Sequence, residues 1–205
     1  MRKSIAEVLA TLGEVSVVND MILLLADEQI DIELRSSIAT ALGNLGEPSV
    51  AADMVLLLAD EQLHTELRRT IADALGNIGD PTVTASVMVE MLADEQQDVF
   101  VRRRITGALG LMGEPSVADD LVELLANKQL NTELRKSIAD ALGTLGERSV
   151  IGDLVQLLSD EQQDVTLRRA IAIALGALGE PKVSANVMVQ LLSDGQLEVS
   201  MRCSI

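Results

Sequence analysis

The chain repeats one pattern of residues along its whole length, and this repetition constrains its fold more than any other feature. The pattern is R-x-x-I-x-x-A-L-G-x-L-G-E-P-x-V, followed by L-x-x-L-L-A-D-E-Q. Its copies begin at arginines spaced 33, 33 and 34 residues apart, and the same spacing then recurs. A fixed period of this length predicts structural units that stack on their neighbours. The copies begin at Arg2, Arg35, Arg68, Arg102, Arg135 and Arg168, with a seventh at Arg202.

The boundaries of the predicted units follow from this spacing. Residues 1–100 and 101–200 match each other at roughly half of their positions, which indicates duplication of a block of three units. We therefore expect one extended array over residues 1–205 and not two compact domains. Its units cover residues 2–34, 35–67, 68–101, 102–134, 135–167 and 168–201, with a truncated seventh from 202.

Each unit is predicted to contain two helices. In residues 31–45, apolar residues recur at spacings of three and four and form one stripe of a first helix. Asp31 stands at its N-cap position, and Gly46 follows its end, where a positive φ is tolerated. Pro48 suits the turn into the second helix, residues 50–59. Neither helix can bury its stripe alone, so stability must come from stacking on neighbouring pairs.

The composition supports helices and excludes several classes of protein. Phe100 is the only aromatic residue, so Leu, Ile, Val, Met and Ala must fill the core, and most of these favour helices. A net charge of −16 repels nucleic acid. No segment has the run of about 18 apolar residues that a membrane span needs. One cysteine, Cys203, excludes a disulfide framework, and the cytoplasm is the expected location.

The repeated motif resembles the HEAT-repeat superfamily. It is most similar to the short prokaryotic lyase-type repeats, which are named after subunits that attach bilins to phycobiliproteins. Residues 35–50 and endings such as residues 54–62 carry the resemblance, which covers essentially the whole chain. It implies an all-α fold, a right-handed α-solenoid of stacked antiparallel helix pairs whose second helices line a concave face. It also implies that this face binds another protein, since only a minority of members assist an enzyme reaction.

If the second helices line that face, their exposed positions form two columns four residues apart. The second column begins with two leucines and continues through glutamates to glutamines. An exposed leucine pair beside acidic residues suits a partner with an apolar anchor and basic side chains. In the alternative, Leu23 and Leu56 are turned into the stack or covered by a chain end. The first column is Asn19, Ala52, Ser86, Asp119, Gly152 and Asn186, and the second is Leu23, Leu56, Glu90, Glu123, Gln156 and Gln190.

Two further columns of charged residues recur in the units. Arg35 and its equivalents lie in first helices, and Asp20, Asp53 and their equivalents lie in the first turns of second helices. We interpret both columns as structural, through Asp–Arg hydrogen bonds between repeats or through favourable charge at a helix N-terminus. The basic run at residues 102–104 lies on a first helix, so it does not predict a nucleic-acid interface.

The sequence predicts no catalytic residue, metal or cofactor. A lone histidine cannot hold zinc, so His64 is expected on the surface at an N-cap position. Cys203 is expected to be a small apolar filler. The Asp27-Glu28-Gln29 loop and its copies supply oxygen ligands, but they lack the glycine-containing frame of a calcium hand.

The predicted function is a non-catalytic protein–protein interaction scaffold with an acidic concave face. The alternatives are an accessory subunit of a bilin lyase or related modifying enzyme, and a self-associating structural repeat module. Solenoids need polar caps, yet this chain opens in a first helix and stops one turn into another. These ends predict either a fragment of a longer array or a homo-oligomer that forms through the uncapped ends.

Overall fold

A computed structural model describes residues 17–78, 82–160 and 162–193. The regular structure of these residues consists of α-helices and short 3₁₀ turns, so the predicted all-α class is confirmed. None of the described helices is both long enough and apolar enough to cross a membrane. The helices are α1 (Val18–Ala26), α2 (Ile32–Leu45), α3 (Ala51–Ala59), α4 (Thr65–Leu75), α5 (Thr82–Ala93), α6 (Val99–Met112), α7 (Ala118–Ala126), α8 (Thr132–Leu145), α9 (Ile151–Leu158), α10 (Val165–Ala177) and α11 (Pro181–Ser193).

The helices belong to two compact units, which divide between Val117 and Ala118. In the first unit, α2, α4 and α6 are first helices of their repeats, and α1, α3 and α5 are second helices. In the second unit, α8 and α10 are first helices, and α7, α9 and α11 are second helices. The single array over residues 1–205 stays a prediction.

The residues that the repeat places at helix ends explain where the helices begin and stop. The Asp31 side chain caps α2 by accepting a hydrogen bond of 2.9 Å from the N–H of Leu34. The same helix ends at Gly46, whose φ of 64° lies in the left-handed region that favours glycine. His64 caps α4, because its Nδ1 accepts a hydrogen bond of 3.2 Å from the Glu66 N–H. The predicted caps at Asp31 and His64 are therefore confirmed.

The turn between the two helices of a repeat does not depend on proline. Pro48 opens the 3₁₀ turn Pro48–Val50 that leads into α3. Arg148 takes the equivalent place in the second unit, and the turn Arg148–Val150 forms there as well. The preceding glutamate caps both turns, since the Glu147 carboxylate accepts a hydrogen bond of 2.9 Å from the Ser149 N–H and its counterpart does the same.

The first helices of neighbouring repeats approach each other at glycine. A Cβ added to Gly43 in α2 would lie 2.7 Å from the Cα of Ala74 in α4. A Cβ added to Gly76, directly after α4, would lie 2.9 Å from the Cα of Ala108 in α6. The helix backbones therefore meet where no side chain separates them. Aliphatic side chains such as Leu42 fill the rest of this core and are fully buried.

One buried arginine in each of four repeats joins a second helix to the following first helix. The Nε of Arg68, a residue only 4% exposed, donates a hydrogen bond of 2.8 Å to the carbonyl oxygen of Leu58. This carbonyl lies in the last turn of α3, where it lacks a partner within the helix and where the helix dipole favours positive charge. The equivalent bonds join Arg35 to Leu25, Arg102 to Leu92 and Arg135 to Leu125.

The arginine column is therefore structural, but it does not act through Asp–Arg hydrogen bonds, the first of the two predicted explanations. Main-chain carbonyls accept the hydrogen bonds in place of the predicted aspartates, because the arginine side chains reach the ends of the second helices. Burial lowers the pKa of the Arg135 guanidinium, and the nearby Asp160 carboxylate opposes this shift. Asp20 and Asp53 instead lie exposed in the first turns of α1 and α3, where the helix dipole favours their charge.

Glutamine side chains in the loops after the second helices accept hydrogen bonds from two of these arginines. The Nη2 of Arg68 donates to the Oε1 of Gln97, whose own amide donates a hydrogen bond of 3.1 Å to Glu61. In the second unit, the Nη2 of Arg135 donates to the Oε1 of Gln163 at 3.0 Å. The loop glutamine thereby joins the first helix of its own repeat to the loop at the end of that repeat, and Gln97 also reaches Glu61 of the preceding repeat.

Candidate functional site

The residues predicted to form the binding face all lie exposed on the second helices. We call the exposed side of α1, α3 and α5 the leucine face. It consists of Asn19, Leu23, Ala52, Leu56, Ser86 and Glu90. The same two columns in the second unit consist of Asp119, Glu123, Gly152, Gln156, Asn186 and Gln190. That these residues bind a partner stays a prediction.

Two leucines dominate the leucine face. Leu23 is 69% exposed and Leu56 is 70% exposed, so neither side chain is turned into the stack. That part of the alternative prediction is wrong. Leu24, which the sequence did not single out, is 45% exposed beside Leu23 and widens the apolar surface of α1. Exposed leucines on neighbouring second helices form the kind of surface that other proteins contact.

An apolar groove lies between α3 and α5. Its volume is about 430 Å³, which falls within the range of ligand-binding pockets. Ala52 and Leu56 of the leucine face belong to it, whereas the remaining lining residues were not found from the sequence. For the lining residues on α3, the sequence signal was their spacing of three and four positions, which places them on the same side of the helix as Ala52 and Leu56. The groove is lined by Pro48, Ala51, Ala52, Val55, Leu56, Ala59, Thr84 and Val87.

Carboxylates accompany the apolar residues on each of these helices. Asp20 on α1, Asp53 on α3 and Glu90 on α5 are all exposed. The sequences of α1, α3 and α5 contain neither lysine nor arginine. The leucine face therefore combines an apolar surface with uncompensated negative charge along its own helices, which favours a partner that carries positive charge.

The acidic loops after the second helices use their carboxylates to form turns. The Asp27 Oδ1 accepts a hydrogen bond of 2.9 Å from the Gln29 N–H, and Asp60 accepts an equivalent bond from Gln62. Within the described ranges, no group of three or more His, Cys, Asp and Glu residues is placed to hold a metal ion. The recurrent Asp in this loop is explained by the turn that it stabilises.

A polar hollow on the first helices has a different character. It lies between α2 and α4 and has a volume of about 570 Å³. Three of its four hydroxyl groups bond to their own helices, since Ser37 and Thr40 donate to the carbonyl oxygens four residues earlier. Thr70 does the same on α4. These groups are therefore not directed towards a ligand.

The sequence analysis also missed a second exposed apolar surface, on α6. Phe100 is 54% exposed and Leu111 is 63% exposed. Their separation of eleven residues corresponds to about three helical turns, so both lie on the same side of α6. This spacing, opposite to the buried stripe of the helix, was the available signal. The predicted filler Cys203 lies outside the described residues.

Comparisons with known proteins agree with the repeated helix pairs. Residues 52–132 and 127–200 match the family model for HEAT repeats. No curated protein matches the chain. A chain in the structure of the complex of CpcE and CpcF of phycocyanin lyase from Nostoc sp. PCC7120 is 24% identical, with a TM-score of 0.61. That alignment covers 86% of this chain and 70% of the other.

Human deoxyhypusine hydroxylase in complex with glycerol is 20% identical, with a TM-score of 0.47 and coverage of 99% of this chain and 76% of that one. The likeness to the phycocyanin lyase complex is a likeness of fold. The match to the repeat model spans more than half of the sequence and coincides with the helix pairs of both units. The chain therefore belongs to the HEAT-repeat family.

Proposed function

We propose that the chain is a non-catalytic scaffold that binds a partner protein along the second helices. The observation that carries this proposal is the exposure of Leu23 and Leu56, about 70% each, beside the apolar groove between α3 and α5. Side chains of this size gain roughly 1.5–3 kcal/mol on burial, so a partner that covers them gains apolar contact. The cytoplasmic location predicted from the sequence belongs to the same proposal, and fractionation of the native source tests it.

The chemistry of the partner follows from the charges around these leucines. A partner with an aliphatic or aromatic anchor fits the groove, and basic side chains beside that anchor fit Asp20, Asp53 and Glu90. In the second unit, Glu123, Gln156 and Gln190 replace the leucines of the same column. We therefore assign the apolar anchoring to the first unit and polar contacts to the second.

Substitution of the two leucines tests the proposal. The variants Leu23→Asp and Leu56→Asp are used as immobilised baits in extract from the native source, beside the unmodified chain. The matched control Ile173→Asp adds the same charge at an exposed apolar position of α10, a first helix outside the proposed binding face. We expect a specific partner, measured by quantitative mass spectrometry, to be lost from both leucine variants and retained by the control.

The helical content of each bait is checked by circular dichroism, because an exposed position tolerates aspartate without loss of the fold. Equal capture by all baits removes the leucine face from the binding site. Loss from the Ile173→Asp control as well indicates that added charge, and not loss of the leucines, reduces capture.

The alternative function is that of an accessory subunit of a bilin lyase or related modifying enzyme. The similarity to a chain of the phycocyanin lyase complex is the observation that favours it. A phycobiliprotein apoprotein is incubated with bilin and a candidate catalytic partner, with and without this chain. Covalent chromophore on the denatured apoprotein that depends on this chain would overturn the non-catalytic proposal, whereas the scaffold proposal predicts no such dependence.

A further inference from the structure

The exposed side of α6 carries an apolar surface flanked by positive charge. Phe100 and Leu111 lie at its two ends, about 16 Å apart along the helix axis, and Gly107 lies between them. A Cβ added to Gly107 would meet nothing within 4 Å, so the middle of this surface is open. We call this set, together with the exposed Arg103 and Arg104, the α6 stripe.

Three arginines lie on or beside this stripe, and two of them form ion pairs, Arg69 with Glu66 at 2.7 Å and Arg104 with Asp73. The Arg69 guanidinium of α4 lies 5.8 Å from the centre of the Phe100 ring, within the range of a cation–π contact. Arg104 lies 3.3 Å from Asp73, and burial raises the pKa of the Asp73 carboxyl while Arg104 opposes that shift. Arg103 is also exposed on α6, in a chain whose overall net charge is −16.

The α6 stripe has the chemistry that the leucine face requires of a partner. It offers an aromatic anchor with basic side chains beside it, whereas the leucine face offers an apolar groove with carboxylates beside it. The two surfaces are also similar in length, because the nine residues of α3 extend for about 14 Å. They lie on opposite helix layers of the first unit, since α6 is a first helix and α3 is a second helix. One molecule therefore cannot bring its own two surfaces together.

We propose that a second copy of this chain docks its α6 stripe against the leucine face, with Phe100 in the groove between α3 and α5. Arg103 and Arg104 of that copy then lie beside Asp53 and Glu90. The inference rests on the proposed function, because it names a partner for the same face. The contact joins two different surfaces, so each added copy leaves one of each surface free and the assembly continues beyond a dimer.

Complementation between two variants tests this arrangement. Phe100→Asp removes the anchor but keeps the leucine face, and Leu56→Asp does the reverse. Sedimentation velocity is measured at about 0.15 M salt, where the Debye length of about 8 Å screens the general repulsion between copies. The weight-average mass of the unmodified chain is expected to rise with concentration. For each variant alone, the association constant is expected to fall by about 30-fold or more. An equal mixture of the two variants is expected to form dimers and nothing larger.

Control variants separate the proposed contact from other effects of charge. Ile173→Asp places the same charge on an exposed apolar position of α10 and is expected to leave association unchanged. Circular dichroism tests whether each variant is folded. If an aspartate variant is unfolded, Phe100→Ser or Leu56→Ser is used in its place.

Three results would overturn the inference. The first is an unmodified chain that stays monomeric at all concentrations. The second is association of either variant alone, and the third is a mixture of the two variants that stays monomeric. If the Leu56→Asp bait loses a specific partner while the unmodified chain stays monomeric, the proposed function stands and this inference fails. If all baits capture the partner equally and the two variants complement each other, the inference stands and the proposed function fails. Only copies of this chain would then use the leucine face.

Discussion

The two helix layers of the first unit differ in how closely their helices approach. In the layer of first helices, the missing Cβ of Gly43 would lie 2.7 Å from the backbone of Ala74, so α2 and α4 meet with no side chain between them. In the layer of second helices, α3 and α5 leave a groove of about 430 Å³ between them. Small residues close the first layer at this contact, and the hollow beside it is polar, whereas the second layer leaves an apolar groove open at its surface.

Residues that pack between the layers are the same in successive repeats, whereas residues on the exposed side of the second helices differ. Arg35, Arg68 and Arg102 occupy the same place in three repeats and make the same hydrogen bond to a second helix. The exposed column of the second helices changes from Leu56 to Glu90 between adjacent repeats. Contacts between the layers restrict the arginines, whereas an exposed position accepts any side chain that the helix tolerates. Recognition is therefore expected at the open layer.

Removal of a buried arginine should have the largest effect. Arg68→Ala leaves the carbonyl of Leu58 without its donor, leaves Gln97 without its partner and removes the buried stem of the side chain. We expect a loss of about 3 kcal/mol in the free energy of unfolding, measured with urea. The matched variant Leu56→Ala in the same repeat should change it by less than about 0.5 kcal/mol. Equal losses in the two variants would abolish the distinction between the layers.

A methyl group at the closest helix contact should have a smaller effect. Gly43→Ala forces apart α2 and α4, because backbone and not a flexible side chain faces the new methyl group. The expected destabilisation is about 2 kcal/mol, after the gain in helix propensity. The control Gly107→Ala points into open space on α6 and should stabilise the chain by about 0.5–1 kcal/mol. Thermal unfolding of the pair measures both, and a stabilised Gly43→Ala variant would contradict the close approach.

The smallest expected effect concerns the hydrogen bond between an arginine and the loop glutamine of the same repeat. Arg35 has an Nη2 atom that is buried without a hydrogen-bond partner, and Leu63 stands where Gln97 serves Arg68. Leu63→Gln should supply the missing acceptor, at the expense of apolar burial. We expect the substitution to be about 1.5 kcal/mol more favourable with Arg35 than in an Arg35→Met background. A double-mutant cycle with no coupling would show that the introduced side-chain amide does not reach Arg35.

Parts of the fold that depend on neighbours in sequence could be predicted. The caps at Asp31 and His64 follow from hydrogen bonds within the first turn, and the stop at Gly46 follows from backbone conformation. The exposure of Leu23 and Leu56 follows from helical periodicity, because both lie opposite the buried stripe. These features require only knowledge of which residues share a helix.

Features that depend on distances between helices could not be predicted. The repeat showed that the arginine column is structural, but not that Leu25 and Leu58 carbonyls accept its hydrogen bonds. The groove was missed because its volume depends on the separation of α3 from α5. The repeat pattern passes through the division between Val117 and Ala118 without a break, so the sequence carries no local signal for that division.

The sequence by itself determined the helix pairs, their ends and the side of each helix that faces solvent, because these depend on a period of 3.6 residues and on local hydrogen bonds. Only the tertiary structure decided where backbones touch, which carbonyl each arginine reaches and where a groove remains open. These properties arise from packing between residues about ten to thirty positions apart, and the same repeated motif is compatible with more than one spacing of its helices.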